Sequence, residues 1–148
     1  MTSSPKATQA LHILQVEDNP NDVALTREAL SETRWRPKLH VVDSVPDAMA
    51  FLRQEPPHEQ APRPNLVLLD LNLPGSPGHE LLAIMKDDAN LRTIPVVILT
   101  SSKNPEDIKD AYSMHANAFL SKPMHFAEFA RTLEVMMDYW FEIVTLPE

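Results

Sequence analysis

The chain has 148 residues, 43% of them apolar, which suffices for one packed domain and leaves little room for a second. It has no cysteine, so disulfide scaffolds, thiol catalysis and cysteine-held metals are excluded. Its net charge of -8, with Arg34, Arg36, Lys38, Lys103 and Lys109 scattered rather than striped, argues against gripping nucleic-acid phosphates.

Residues 1–10 are polar, rich in Thr, Ser and Gln, and read as a flexible N-terminus with no signal-peptide core. A strand is expected over residues 13–16. Asn19-Pro20 then reads as an N-cap followed by proline at the first helical position, with Asp22 in the first turn. A second strand spans 39–42. Ser44 opens a second helix, with Val45, Ala48, Met49 and Leu52 forming a one-sided stripe. Residues 54–64 hold four of the 14 prolines and form a loop.

Residues 66–69 (LVLL) and 96–99 (VVIL) are apolar at every position, as in strands buried on both faces of a parallel sheet. Asn104-Pro105 repeats the cap pattern, with Glu106 and Asp107 at the positive helix end and Ile108, Ala111 and Tyr112 on the inner face. A fifth strand covers 118–120. A last helix covers 125–140, with Phe126, Phe129, Ala130, Leu133 and Trp140 on one side. No run approaches the roughly 20 apolar residues of a membrane span, so a cytoplasmic protein is expected. Five strand–helix units in order predict an α/β fold, a doubly wound parallel sheet over residues 11–140.

Ligands of such sheets gather at the carboxyl ends of the strands. There the sequence places Glu17 and Asp18, Asp70, Thr100 and Ser101, and Lys122 with Pro123. Close carboxylates need a compensating cation, and an oxygen-only set favours a hard one, best Mg²⁺. A carboxylate is also a competent nucleophile toward phosphorus, with Lys122 and Thr100 placed to hold the transferred oxygens. Taken singly, each has a plainer reading. Asp18 could be a helix-start acid, Asp70 an Asx turn, Thr100 a strand-end hydroxyl and Lys122 a solvated cation. It is their joint occurrence at matched strand ends that argues for a site.

VEDNP, LVLLDLNLPG, VVILTSS and FLSKP, in this order and spacing, resemble the receiver domains of two-component response regulators over about residues 11–140. The resemblance implies a flavodoxin-like (βα)5 fold with strand order 2-1-3-4-5. It also implies phosphoryl transfer from a histidine kinase to Asp70, without other enzymatic turnover beyond autodephosphorylation. Mg²⁺ would be held by Glu17, Asp18, Asp70 and the backbone carbonyl of Asn72. Thr100 and Lys122 would contact the phosphoryl group, and Lys122-Pro123 would be a cis peptide. Thr100 and Phe119 would form the switch behind an α4-β5-α5 output face, although Phe119 could also be ordinary core.

DNPNDVALTREAL, HANAFLSKP and FEIVTLPE are similar to the stand-alone regulators that partner phytochrome-type histidine kinases. Met114-His115-Ala116 occupies a turn where many family members have glycine. Residues 141–148 extend helix five, and this apolar end suggests a homodimer contact through Tyr139, Trp140, Phe141, Ile143, Val144 and Leu146. The alternative is a tail folded onto its own domain. Two rival classes fit less well. Aspartyl-nucleophile phosphatases carry a second acid where Asn72 stands, and a flavodoxin-type module needs a phosphate-cradling loop where the acidic Glu17-Asp18-Asn19-Pro20 lies.

Overall fold

The computed structural model describes residues 10–143 except 72, 74–77, 102–103, 114 and 123–124, and the side chains of Asp107 and Ile143 are also outside it. Five strands alternate with five helices: β1 (His12–Val16), α1 (Pro20–Ser31), β2 (Lys38–Val42), α2 (Val45–Leu52), β3 (Leu66–Leu69), α3 (Gly78–Asp87), β4 (Val96–Thr100), α4 (Pro105–Ser113), β5 (Ala118–Ser121) and α5 (Phe126–Asp138). All pairings are parallel, in the order β2-β1-β3-β4-β5. This is the expected flavodoxin-like arrangement.

The unbroken apolar strands explain why the sheet lies in the middle. Every residue of β3 and β4 is buried, and successive side chains enter opposite layers. Leu14, Val16, Val67, Leu69, Val96 and Ile98 pack on α2, α3 and Ala111 of α4. Ile13, Leu66, Leu68, Val97 and Leu99 pack on α1 and α5.

The helix starts follow the expected chemistry. The Asn19 side chain accepts from the Asn21 and Asp22 N–H groups ahead of Pro20, and Ser44 Oγ accepts from Asp47 N–H at 3.2 Å. Asn104 Oδ1 accepts from Glu106 N–H. Helix α3 lacks such a signal. It begins beside a Pro/Gly/Ser stretch that reads as loop, so only its buried Leu81, Leu82 and Met85 mark it.

Two expectations about the C-terminal half need correction. Tyr112 is not on the inner face of α4: it is 49% exposed, while Ala111 is buried and Ile108 half-buried. The last α-helix stops at Asp138 and is followed by a π-helical turn, Tyr139–Ile143. That turn brings Phe141 to 1% exposure against Trp35, ring centroids 5.9 Å apart. Trp35 Nε1 donates to Asp138 at 2.8 Å, and the Arg34 guanidinium bridges Asp138 and Glu142. Phe141, with Met136 and Met137, is therefore core of its own domain rather than dimer contact, because its burial is worth about 1.5–3 kcal/mol within the chain. Tyr139 is 49% exposed and Trp140 half-buried, their rings edge to face. Val144, Leu146 and the Ile143 side chain lie outside the described residues.

Candidate functional site

The ends of β1, β3, β4 and β5 meet on one edge of the sheet, and the strand register brings their polar residues together. Glu17 N–H donates to Val42 O and Asp70 N–H to Val16 O, so both acids lie one step beyond fully buried Val16 and Leu69. Carboxylate oxygens of Glu17, Asp18 and Asp70 lie within 4.8 Å of one another. Glu17 and Asp70 are buried and Asp18 is exposed, so the cluster opens to solvent on the Asp18 side.

Lys122 reaches in from the end of β5. Its Nζ lies 2.5 Å from Glu17 Oε1, 2.9 Å from Asp22 Oδ2 and 3.6 Å from Asp70 Oδ2. Its N–H donates to Thr100 O at 2.8 Å, tying the lysine to the fully buried end of β4. The structure thus brings Glu17, Asp18, Asp70, Thr100 and Lys122 to one corner. Asn72 and Pro123 lie outside the described residues, so the carbonyl ligand and the Lys122-Pro123 cis bond do too.

Two further residues belong to this corner. Asp22 read as a helix-start acid, yet the first turn of α1 turns it onto Lys122. Its four-residue spacing from Asp18 across the Asn19 cap was the available signal. Gly78 starts α3 directly on the backbone of Asp70. A Cβ there would collide with the Asp70 carbonyl oxygen and stand 3.0 Å from Leu71 Cα, while Gly78 N–H donates to Leu71 O at 3.1 Å. Only a missing side chain permits that approach.

The electrostatics follow from burial and crowding. Burial pushes the Glu17 carboxyl up to about 7, with the neighbouring Asp70 adding to the rise and Lys122 opposing it. Burial alone would lower the Lys122 ammonium, but hydrogen bonds to Glu17 and Asp22 and the charges of Asp70 and Glu17 raise it instead. Among the described residues of this corner one ammonium stands against four carboxyls, three of them within 3.6 Å of it, so an excess of negative charge remains. An oxygen-only donor set of this kind fits a hard divalent cation.

Phe119, the expected switch residue, is half-buried. Phe119 pairs with Ile98 and packs on the α2–α3 layer, and Ser121 pairs with Thr100.

Comparison with known proteins agrees with this geometry. The model of the response regulator receiver domain matches residues 13–134. Response regulator Rcp1 of Synechocystis sp. is 41% identical over 135 residues, covering 91% of this chain and 92% of that protein. The crystal structure of the Mn²⁺-bound form of Rcp1 superposes with a TM-score of 0.84 at 40% identity, covering 93% of this chain and 99% of that one. The phosphorylated cyanobacterial phytochrome response regulator RcpA gives a TM-score of 0.88 at 38% identity, covering 95% and 100%. With its parallel sheet, acid cluster and strand-end lysine, this chain belongs to the response regulator receiver-domain family of two-component systems.

Proposed function

We propose that Asp70 accepts a phosphoryl group from a phosphohistidine of a phytochrome-type histidine kinase. The observation that carries this reading is the placement of Asp70, at the end of β3, 3.6 Å from Lys122 Nζ and inside the Glu17/Asp18 cluster. An Asp70 carboxylate oxygen attacks phosphorus, the P–N bond to the imidazole breaks, and the imidazole keeps the electron pair. Lys122 sits where it can turn from Glu17 and Asp22 to the incoming phosphoryl oxygens, and Thr100, fully buried at the end of β4, accepts the Lys122 backbone N–H beside it.

Glu17, Asp18 and Asp70, with the Asn72 carbonyl that the family resemblance implies, would hold Mg²⁺, which would neutralise charge on the phosphoryl oxygens. The chain then has no turnover beyond its own phosphotransfer and autodephosphorylation. The kinship with RcpA, a cyanobacterial phytochrome response regulator, supports the phytochrome link, and a cytoplasmic location follows from such a partner. Among the described residues no helix is long and apolar enough to cross a membrane.

The signal leaves through the α4-β5-α5 face, where a homodimer forms with exposed Tyr139 and half-buried Trp140. A monomeric mass by light scattering at micromolar concentration overturns the dimer. The phosphoacceptor itself is tested by intact mass after incubation with acetyl phosphate, with and without Mg²⁺. A Mg²⁺-dependent phosphoryl adduct absent from Asp70→Asn is expected, and an adduct that survives in that variant refutes the assignment.

A further inference from the structure

Strand β5 is the outer strand of the sheet on the α4 side. N–H groups along a parallel strand point alternately toward and away from the neighbouring strand. Lys122 N–H points at β4, to Thr100 O, so Phe119, three positions earlier, directs its N–H away from the sheet. An outward backbone donor on an edge strand normally meets water or another chain. Here it donates to the phenolic oxygen of Tyr112 at 3.2 Å.

Tyr112 stands in the last turn of α4 and leaves about half its surface in water, so burial does not explain its position. Its own carbonyl is also held, accepting from His115 N–H at 3.0 Å in a turn where His115 has a left-handed φ of 71°. The rest of α4 is attached lightly. Among its described residues only Ala111 is fully buried, with Ile108 half-buried. A helix with few buried apolar contacts opens readily, so one directed hydrogen bond to the sheet carries weight. Phe119 has no hydroxyl to anchor its ring, and the polar link at this position comes instead from across the edge.

We propose that Tyr112 is a positioning residue that couples α4 to the switch position, its hydroxyl holding the β5 backbone at Phe119 so that displacement of either element moves the other. The proposal rests on Asp70 being the phosphoacceptor, since phosphorylation supplies the displacement to be transmitted.

The test is Tyr112→Phe, which removes one oxygen and keeps the ring. In the unphosphorylated protein, amide hydrogen exchange at Phe119 is expected to quicken about tenfold, while the amides of Leu14 and Val67 in the central strands do not change. After acetyl phosphate and Mg²⁺, the chemical-shift response of the α4 amides of Lys109 and Asp110 is expected to fall below half its wild-type size, at equal adduct yield by mass. Unchanged exchange at Phe119 shows that the bond is absent and overturns the proposal. Full adduct with an undiminished α4 response reduces Tyr112 to a local support and overturns the coupling alone. No adduct in either protein overturns the phosphoacceptor reading and the coupling with it.

Discussion

Replacing Gly78 by alanine sets helix propensity against space. In a helix interior alanine is favoured over glycine by about 1 kcal/mol, and somewhat less at Gly78, the first residue of α3. Gly78 has no left-handed backbone angle, so alanine meets no conformational barrier there. The added Cβ, however, runs into the Asp70 carbonyl oxygen, with Leu71 Cα at 3.0 Å and the Asp70 carbonyl carbon at 3.2 Å. All three neighbours are backbone atoms, so no rotamer change relieves the contact. Overpacking of this kind costs about 1–3 kcal/mol. The net expectation is a loss of about 1–2 kcal/mol, accompanied by a shift of the very backbone that presents the Asp70 carboxylate. Urea unfolding with an unchanged m-value measures the first effect, and the rate of adduct formation with acetyl phosphate measures the second. A Gly78→Ala protein as stable as the wild type, and as quickly phosphorylated, refutes the packing argument.

Other expectations concern regions remote from Asp70. His12 Nδ1 and His40 Nε2 share a hydrogen bond at 3.0 Å, and burial, reinforced by the charge of Lys38 and, for His40, of His12 and Arg27, holds both below the ordinary 6.5. At this pair the unfolded chain binds more protons just below pH 6.5, so the pair's contribution to stability is full above that value and declines as pH falls beneath it, while Glu17, raised to about 7, contributes the opposite slope over the same range. Urea midpoints between pH 7.5 and 5 record the slope; a His12→Asn/His40→Gln protein with the same slope removes the pair as its source. At the C-terminus, Asp138→Ala strips the acceptor from Trp35 Nε1 and from the Arg34 guanidinium. A loss of about 1 kcal/mol is expected because the pair is partly solvated, together with faster amide exchange in the Tyr139–Ile143 turn. Unaltered exchange there means that Phe141 alone seats the turn.

Where the sequence was easily legible, local pattern and tertiary demand agree. LVLL and VVIL can be satisfied only by burial on both faces, and the caps at Asn19, Ser44 and Asn104 act over two or three residues. Strand ends are legible for the same reason, which is why the sequence alone places Glu17, Asp18, Asp70, Thr100 and Lys122 at one edge. What escaped notice depends on distant partners. Asp22 is an ordinary first-turn acid until Lys122, 100 residues away, arrives beside it. Gly78 reads as one more loop residue until α3 is laid on Asp70. The apolar tail read as surplus surface because the receptor for Phe141, Trp35, lies beyond α1 and could not be paired with it by spacing. His115 was visible as a departure from the family's glycine, but its left-handed angle emerges only from the turn that closes α4.

The same register argument explains how an unfavourable corner is maintained. Among the described residues, four acids gathered at one ammonium do not stabilise a fold, and burial raises the Glu17 carboxyl to about 7. They stay together because Val16 and Leu69, one residue before Glu17 and Asp70, are fully buried and paired in register across β1 and β3. A slip of one residue would turn the entire apolar set of a strand outward, at a cost far above any relief of carboxylate repulsion. The hydrophobic sheet therefore sets the spacing of the acids, and their mutual repulsion is left for a hard cation to offset. Placed by the sheet rather than by one another, the carboxylates owe their spacing to the buried strands, while α4, with Ala111 alone fully buried among its described residues, and the half-buried edge strand β5 are attached more lightly.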